Sequence, residues 1–344
     1  GRVLSETVWA KISSPHYHAS AMDGYAVRSE STNGATQTAP VSLKYQEDTV
    51  YLDTGDPLPE WADAVIPIEL VESIAEEGTM AENPRQPHAI RIRSSVSPWA
   101  HVREMGEDMV ATQLVLPQGV VLRPVDLGAA AGCGYDSLEV TRKPRVAVIP
   151  TGTELVYPGD PLKAGDIIEY NAIVLAAQIR DWGGEADRFE NTPDDFEEIK
   201  RAVLSAAKDH DLVLLIAGSS AGSEDYSSRV VEETGQLLVH GVAVRPGHPV
   251  ILGVVKNDGK TTPIVGVPGY PVSAALTSEI FIQPVLRRWL GIPPASPAEL
   301  EAVITRKVSS PAGDDDFLRV AVGFLGDKAL AAPLSRGSGV ITSL

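Results

Sequence analysis

Apolar and polar positions alternate over short stretches throughout the first 142 residues, and turn residues separate these stretches. Examples are TVWAKI, SLKYQEDTVYL, HAIRIRSSV and QLVLPQGVVL. Alternation with a period of two and frequent turns predicts antiparallel β structure. One stretch with helical spacing, residues 123–134, interrupts the pattern, with Pro124 in its first turn and glycines at its end. We therefore expect a discontinuous scaffold domain, residues 1–23 and 109–142, into which a β domain, residues 24–108, is inserted.

The pattern changes at residue 143, where continuous apolar runs begin to alternate with amphipathic stretches. The runs PRVAVIP, DLVLLIAG and TPIVGVPG predict buried strands, and the stretches that follow Asn171, Asp194 and Tyr226 predict helices. Asn171 is expected to cap one helix, and Asp194 and Asp195 are expected in the first turn of the next. A long helix is predicted after PGYP. Strands alternating with helices indicate a doubly wound, mostly parallel α/β domain over residues 143–290.

The remaining residues, 291–344, return to short β segments such as LEAVITRKVS and DFLRVAVGFL, which predict a small C-terminal β domain. Both ends of the chain lack a clear turn or cap. We therefore expect terminal segments to be missing and the last domain to be truncated. The fold class predicted for the whole chain is multidomain α/β and β.

Charge limits the kinds of partner that the chain can have. The 344 residues carry a formal net charge of −17, from 29 Lys and Arg against 46 Asp and Glu. Nucleic acid and anionic membranes are poor general partners for such a surface, because binding to them needs a basic face. A small anion can still bind through local cations, helix N-termini or a bridging metal. The lone Cys133 excludes a disulfide within the chain and is expected to be a buried thiol.

No apolar run approaches the ~20 residues that span a bilayer, so we expect a cytoplasmic protein. Within the predicted parallel sheet, ligands are expected beyond the carboxyl ends of the strands, where turns follow Pro150, Ile216 and Val267. One such turn carries little information. Three turns on one sheet edge indicate a pocket.

The turn after Ile216, AGSSAGSEDY, exposes backbone N–H groups and hydroxyls in a way that suits phosphate. Its candidate contacts are Gly218, Ser220 and Gly222, and a simple tight connection remains an equal alternative. Asp225 next to an anion suggests Mg²⁺ held by a carboxylate and substrate phosphates, or else an ordinary helix cap. Glu154, in TGTEL, could cap a helix or bind a ligand hydroxyl or amine.

A second anion site is indicated by VAVRPGHPVILGV, residues 242–254, where Arg245 and His248 flank a Pro-Gly turn between two β-branched runs. In the first half, the turns SAMDGYAV, TGDPLPEWADAV and GEDM carry Asp23, Thr54 and Asp108. Taken singly, each of these three is an ordinary hairpin turn with solvated carboxylates.

These motifs together, in this order along essentially the whole chain, resemble the molybdopterin molybdenumtransferase family, the MoeA proteins and gephyrin E domains. The resemblance implies an elongated homodimer of four-domain subunits with the active site between subunits. It also implies the reaction, a Mg²⁺-dependent insertion of molybdate into adenylylated molybdopterin with release of AMP. Positioning and electrostatics suffice for such chemistry without a covalent enzyme intermediate.

The resemblance also assigns roles, position by position. Asp23, Thr54, Asp108, Glu154 and Asp225 match catalytic positions of the family, and Asp194 and Asp225 match positions that would hold the metal. Positions matching the binding site for the pterin substrate and its anions are Gly218, Ser220, Gly222, Asp194, Arg245, His248, Pro268, Gly269, Tyr270, Ser273, Arg319 and Ser338. Of these, Ser273, Arg319 and Ser338 match the molybdate pocket, and two hydroxyls with a guanidinium suit a tetrahedral oxyanion.

The chain departs from the family at the anion-binding turn. Arg245, His248 and Gly241 stand where the family has lysines, and Tyr270 replaces an asparagine. Loss of fixed positive charge weakens attraction for a doubly charged oxyanion, since each charge-assisted contact contributes roughly 1.5–3 kcal/mol. The alternative function is therefore a non-catalytic or regulatory MoeA-like protein that binds molybdate, tungstate or the pterin cofactor. A peptide-binding scaffold is a third class, which no feature of the sequence supports.

Overall fold

A computed structural model describes residues 1–216, 226–293, 299–334 and 337–344. The chain forms two compact units, residues 4–139 and residues 1–3 together with 140–344. The boundary between them lies three residues before the change of pattern expected at residue 143. The finer division into four domains stays a prediction.

The unit of residues 4–139 is built mainly of short strands, as the alternating pattern predicts. Its strands are β1 (Val8–Trp9), β2 (Ala19–Ser20), β3 (Gly24–Val27), β4 (Val41–Lys44), β5 (Val50–Leu52), β6 (Ala64–Pro67), β7 (Val71–Ile74), β8 (Ala89–Ile92), β9 (Val102–Arg103) and β10 (Leu114–Leu116). Two antiparallel three-stranded sheets, ordered β5-β3-β6 and β4-β8-β7, share one apolar core around Tyr25, Ile66 and Ile90. The predicted helix is present as α1 (Pro124–Gly132).

The second unit contains a six-stranded sheet. The strands of this part of the chain are β11 (Arg145–Pro150), β12 (Leu155–Val156), β13 (Ile167–Ile168), β14 (Glu185–Arg188), β15 (Leu212–Ile216), β16 (Gly235–His240), β17 (Val244–Arg245), β18 (Ile251–Asn257) and β19 (Lys260–Val267). The short strands β12, β13 and β17 do not belong to the six-stranded sheet. The sheet order is β14-β11-β15-β19-β18-β16, parallel over the first four strands and antiparallel over the last two. The antiparallel edge is a hairpin extension of the parallel sheet.

Helices cover both faces of this sheet. They are α2 (Asn171–Asp181), α3 (Phe196–Asp209), α4 (Tyr226–Thr234), α5 (Pro271–Thr277) and α6 (Gln283–Leu290). One apolar core joins one face to α2, α5 and α6 through residues such as Leu175 and Leu286, and another joins the opposite face to α3 and α4 through Val203 and Val230. Alternate residues of each strand enter opposite cores, which is why β11 and β15 read as continuous apolar runs. The predicted doubly wound α/β class is confirmed.

Three predicted helix features differ. The side chain of Asn171 does not cap α2; the carboxylate of Glu169 accepts the backbone N–H of Ala172 instead, at 2.7 Å. Asp194 precedes α3 rather than lying in its first turn, because Asp195 is the N-cap and accepts from Glu197 and Glu198. The single long helix predicted after PGYP is interrupted between α5 and α6 by a π-helical segment, Ser278–Ile282.

The C-terminal segment adds β20 (Val303–Ile304), β21 (Asp315–Asp316), β22 (Val320–Leu325) and β23 (Lys328–Pro333). The last two form an antiparallel hairpin that β20 extends, while β21 pairs in parallel with β17. This second pairing brings the acidic residues 314–316 against the turn RPGHP. The expectation of short β segments after residue 290 is confirmed for the described residues.

Cys133 is fully buried at the end of α1, as expected for a core thiol. Within the described residues, every helix is too short or too polar to cross a bilayer.

Candidate active site

The parallel strands of the second unit end together. Pro150 of β11 is in register with Ile216 of β15, and Ile216 is in register with Val267 of β19. The turns that follow β11 and β19 therefore meet at one sheet edge, as predicted. The loop that follows β15, which carries Gly218, Ser220, Gly222 and Asp225, lies outside the described residues.

A cavity of about 480 Å³ lies beside this edge, between the turn RPGHP, the start of α5 and the C-terminal segment. Arg245, His248, Ser273, Arg319 and Ser338 all line it. We call it the oxyanion cavity. They come from three separate parts of the sequence, and the structure brings Arg245 and His248 of the anion-binding turn together with the three residues that the resemblance assigned to the molybdate pocket.

Backbone contacts hold the walls of the oxyanion cavity. Gly247, with φ of +122°, lets the turn lie directly on α5, since a Cβ there would come within 2.9 Å of Thr277 Oγ1. Ser273 lies in the first turn of α5 and is 5% exposed. The N–H of Val272 in the same turn donates to the carbonyl of Ser338 at 2.9 Å. The main chain thus holds the segment that carries Ser338 next to the start of α5, which carries Ser273.

The positive charge of the oxyanion cavity is partly offset. Arg245 Nε pairs closely with the carboxylate of Asp314, a side chain only 16% exposed. Asp316 also lines the cavity. Arg319 Nη2 makes a long contact of 3.4 Å with the carbonyl of Gly337. The cavity therefore presents two guanidinium groups, an imidazole and two hydroxyls, together with two nearby carboxylates.

The missing third lysine has a structural explanation. Gly241 has φ of +82°, a left-handed conformation that side-chain-bearing residues rarely adopt. A Cβ at this position would lie 3.9 Å from His248 Nε2, so the histidine ring already borders that space. A residue with a side chain at position 241 would therefore need a strained backbone conformation next to the His248 ring.

A second, smaller cavity of about 230 Å³ lies directly at the ends of β11 and β19. We call it the strand-end cavity. Of the predicted residues, Glu154, Gly269 and Tyr270 line it, as does Gly339 next to Ser338. Glu154 caps no helix; its backbone carbonyl accepts from Ile167 at 2.9 Å, and its side chain is half-buried at the cavity wall. Pro268 is buried and lines neither cavity.

The residues of the strand-end cavity that sequence reasoning did not name as site residues include Glu169 and Asn171. Glu169 is 7% exposed, and burial raises the pKa of its carboxyl, with the N–H of Ala172 acting in the opposite direction. Asn171 Nδ2 donates to the carbonyl of Gly269 at 2.7 Å, which ties the start of α2 to the turn before α5. The sequence offered one signal for Glu169, namely an acidic residue two positions before an amphipathic stretch, in the segment IIEYNA.

Asp194 lies in an exposed turn, where its N–H donates to Thr153 Oγ1 at 3.1 Å. Local desolvation, followed by the charge of Glu154, raises the pKa of Asp194. The charge of Glu154 thus disfavours ionisation of Asp194. In the described part of the chain, no three His, Cys, Asp or Glu side chains cluster closely enough to form a metal site by themselves.

In the unit of residues 4–139, the structure brings Asp23 and Thr54 together. The Asp23 carboxylate accepts both the N–H of Thr54 at 2.8 Å and its hydroxyl at 2.7 Å. The hydroxyl bond, then the N–H bond, lowers the pKa of Asp23. Asp108 lies on a different exposed turn, where its N–H donates to Ser14 at 3.0 Å.

Fold and cavities together define an α/β protein with one cavity at the carboxyl ends of its parallel strands and another beside them, preceded in the sequence by a β-rich N-terminal unit. Comparison with known proteins agrees. Residues 1–134 match the family model "MoeA N-terminal region (domain I and II)", and residues 147–288 match "Probable molybdopterin binding domain". The chain belongs to the MoeA family, as the resemblance predicted.

Individual relatives support the same assignment. Molybdopterin molybdenumtransferase 2 of Mycobacterium tuberculosis is 36% identical over 93% of this chain and 80% of that protein. Molybdopterin molybdenumtransferase of Haemophilus influenzae is 31% identical, over 92% of this chain and 78% of the relative. The crystal structure of a molybdopterin biosynthesis MoeA protein from Pyrococcus horikoshii superposes with a TM-score of 0.81 at 33% identity, covering 100% of this chain and 84% of that one.

Proposed function

We propose that this chain is a molybdopterin molybdenumtransferase that inserts molybdate into adenylylated molybdopterin with release of AMP. The observation that carries the proposal is the convergence of Arg245, His248, Ser273, Arg319 and Ser338 on one cavity. Guanidinium groups and hydroxyls donate in several directions, which matches the four oxygens of a tetrahedral oxyanion. The related transferases, similar over most of their length, do not favour the non-catalytic alternative.

The residues of this chain would act by binding and orienting. Arg319 and the two serines would fix the oxyanion, while Glu154 and Asp194 lie at the strand-end side, where the other end of the substrate would be held. Thr54 keeps Asp23 ionised by donating two hydrogen bonds to it. Asp23 and Asp108 would then serve as acceptors for substrate or water, in accordance with their matching positions in the family.

Mg²⁺ fits the donors that the chain offers. Asp194 and Glu154 are close enough for the charge of one to raise the pKa of the other. Mg²⁺ is usually held by one or two carboxylates together with substrate phosphates and water, so a complete protein cage is not required. Asp194, with Glu154 nearby, would hold the ion, and Asp225 is the further carboxylate implied by the family resemblance. Bound Mg²⁺ supplies charge neutralisation at the phosphoanhydride oxygens.

We further propose a cytoplasmic homodimer whose active site lies between subunits. The family resemblance supports the dimer, and the lack of an apolar run of spanning length in the sequence supports the location. Sedimentation of the purified protein at micromolar concentration should give the mass of two chains.

The decisive experiment is a turnover assay. Purified protein, adenylylated molybdopterin, molybdate and Mg²⁺ should release AMP, and omission of molybdate or of Mg²⁺ should abolish the release. Binding of molybdate, measured by calorimetry without release of AMP under any condition, would favour the alternative of a binding protein. If neither AMP release nor molybdate binding is detected, both functions are refuted.

A further inference from the structure

A guanidinium group lies beside the Asp23–Thr54 pair, although no sequence motif marks it. Arg85 belongs to the loop between β7 and β8, and its Nη2 forms an ion pair with Asp53 Oδ1 at 3.2 Å. Asp53 immediately precedes Thr54, whose N–H and hydroxyl donate to Asp23. The hydrogen bonds from Thr54 lower the pKa of Asp23 most, and the charge of Arg85 lowers it further. Arg85 is therefore within electrostatic reach of this pair.

The loop that carries Arg85 is anchored to the core of the same unit. The fully buried Tyr25 donates its hydroxyl to the backbone carbonyl of Pro84. Asn83 Oδ1 accepts the N–H of Arg85 at 3.0 Å, which holds the turn at this point. Tyr25 lies on β3, two residues after Asp23. The start of β3 thus positions Asp23 and also, through Pro84, the backbone next to Arg85.

The side chain of Arg85 rests on an aromatic ring and keeps donors available. Its guanidinium carbon lies 5.2 Å from the centroid of the Tyr51 ring, within the range of a cation–π contact. The hydroxyl of Tyr51 donates to Asp53 Oδ1 at 3.0 Å, so the ring and the ion pair belong to one arrangement. Arginine has five N–H donors, and the ion pair with Asp53 engages one nitrogen. Because the side chain is 59% exposed, the other donors are open to a ligand.

The charges next to the Asp23–Thr54 pair show what such a ligand would be. The N–H of Asp53 donates to Asp56 Oδ2 at 2.9 Å, so Asp53 and Asp56 lie on the turn that also carries Thr54. A phosphoanhydride that approaches Asp23 is repelled by these carboxylates, because like charges in proximity destabilise each other. An exposed guanidinium offsets that repulsion, and its planar fork matches two phosphate oxygens.

We propose that Arg85 is a further substrate-binding residue, which donates to a phosphate of the phosphoanhydride next to Asp23 while the Tyr51 ring supports its guanidinium. The inference rests on the proposed function for the identity of the substrate. Arg85 would bind and orient the phosphate, and it would neither accept nor supply a proton. Its role differs from that of Arg319, which is assigned to molybdate.

The test is calorimetric binding of AMP and of adenosine, which lacks the phosphate, to the intact protein with Mg²⁺ present. Arg85→Gln should lower the affinity for AMP about tenfold and leave the affinity for adenosine within about twofold. Arg85→Lys keeps the charge and should retain part of the affinity for AMP. Lys44→Gln is the matched control, because it removes a cation from an exposed ion pair on a different sheet of the same unit. It should change neither affinity.

A second variant separates contact with the phosphate from support of the turn. Asp53→Asn removes the ion pair with Arg85 but keeps an oxygen for the Tyr51 hydroxyl, and it also removes a charge that repels phosphate. The affinity for AMP should therefore rise in Asp53→Asn. Equal losses in Asp53→Asn and Arg85→Gln would show that the ion pair only supports the turn, and they would overturn the inference.

Turnover distinguishes this inference from the proposed function. A tenfold higher KM for adenylylated molybdopterin in Arg85→Gln, with unchanged affinity for AMP, would support the inference and assign the contact to the phosphate on the pterin side. If KM and the affinity for AMP are both unchanged in a variant that is folded by circular dichroism, the inference is overturned while AMP release leaves the proposed function standing. In a protein without turnover the proposed function fails, and AMP binding alone decides. Dependence on Arg85 then supports the inference, and independence overturns it.

Discussion

Two cavities share one turn of the α/β unit, yet their linings have opposite character. The oxyanion cavity carries Arg245, His248 and Arg319 against one lining carboxylate, Asp316, whereas the charged lining residues described for the strand-end cavity are Glu154 and Glu169. The difference shows that a chain with a net charge of −17 can still gather cationic side chains at one cavity. The strand-end cavity carries carboxylates and, among its described lining residues, no cationic side chain.

The largest expected effect concerns the oxyanion cavity. Arg319→Ala should weaken molybdate binding about 10- to 100-fold, because a charge-assisted contact of roughly 1.5–3 kcal/mol is lost. Isothermal calorimetry at fixed ionic strength measures the change. Lys307→Ala, at an exposed position of the same segment, is the control and should leave binding within about twofold. Equal losses in both variants would mean that general charge, and not the cavity, attracts molybdate.

Asp314→Asn should change the same affinity in the opposite direction. The carboxylate of Asp314 neutralises Arg245, so its removal should strengthen molybdate binding about three- to tenfold. Asp315→Asn removes the same charge from an exposed neighbour and should have a smaller effect. Weaker binding in Asp314→Asn would show that Asp314 mainly orients Arg245. The conclusion that Asp314 neutralises part of the positive charge of this cavity would then be wrong.

The carboxylates on the strand-end side provide a third test. Glu154→Gln removes a charge that raises the pKa of Asp194, so that pKa should fall while remaining above its ordinary value, because desolvation persists. A carboxyl-detected NMR titration of the two proteins follows the change. An unaltered pKa of Asp194 would show that the two groups are electrostatically independent.

The smallest expected effect is on stability. Burial raises the pKa of Glu169 above 4.5, so ionisation of this group costs folded-state stability as pH rises from about 4.5 through the folded-state pKa. Glutamine cannot ionise. The melting temperature of Glu169→Gln minus that of wild type should therefore increase with pH across this window and level off above it. Calorimetric melts between about pH 4 and pH 8 measure the difference, and a decrease with pH would contradict the assigned direction.

Much of the fold could be predicted because its strands and helices follow simple periodicities. The buried runs of β11 and β15 and the helices α2 and α3 are examples. The cap of α2 could not be predicted in this way. The side chains of Asn and Glu can both accept a backbone N–H at a helix start, and only packing decides which one turns inward. The interruption between α5 and α6 was also not predicted, because the segment Ser278–Ile282 contains no glycine or proline that would mark a break in the helix.

The site residues depended on a different kind of information. Periodicity located the sheet edge, but Arg319 and Ser338 are far along the chain, and only the family resemblance connected them with Arg245. Glu169 was overlooked because no motif marks it and its significance comes from burial. The offset of Arg245 by Asp314 likewise depends on the parallel pairing of β17 with β21, a contact between segments about 70 residues apart.

The π-helical segment Ser278–Ile282 has a mechanical consequence. Each residue of an α-helix turns the chain by about 100°, so adding or removing one residue here would rotate α5 about its axis relative to α6. Both helices pack on the apolar core, α5 through Ala274 and α6 through Leu286, and Ser273 on α5 lines the oxyanion cavity. The segment therefore sets the rotation of α5 relative to α6, and a one-residue deletion within it would displace Ala274 from the core together with Ser273 from the cavity.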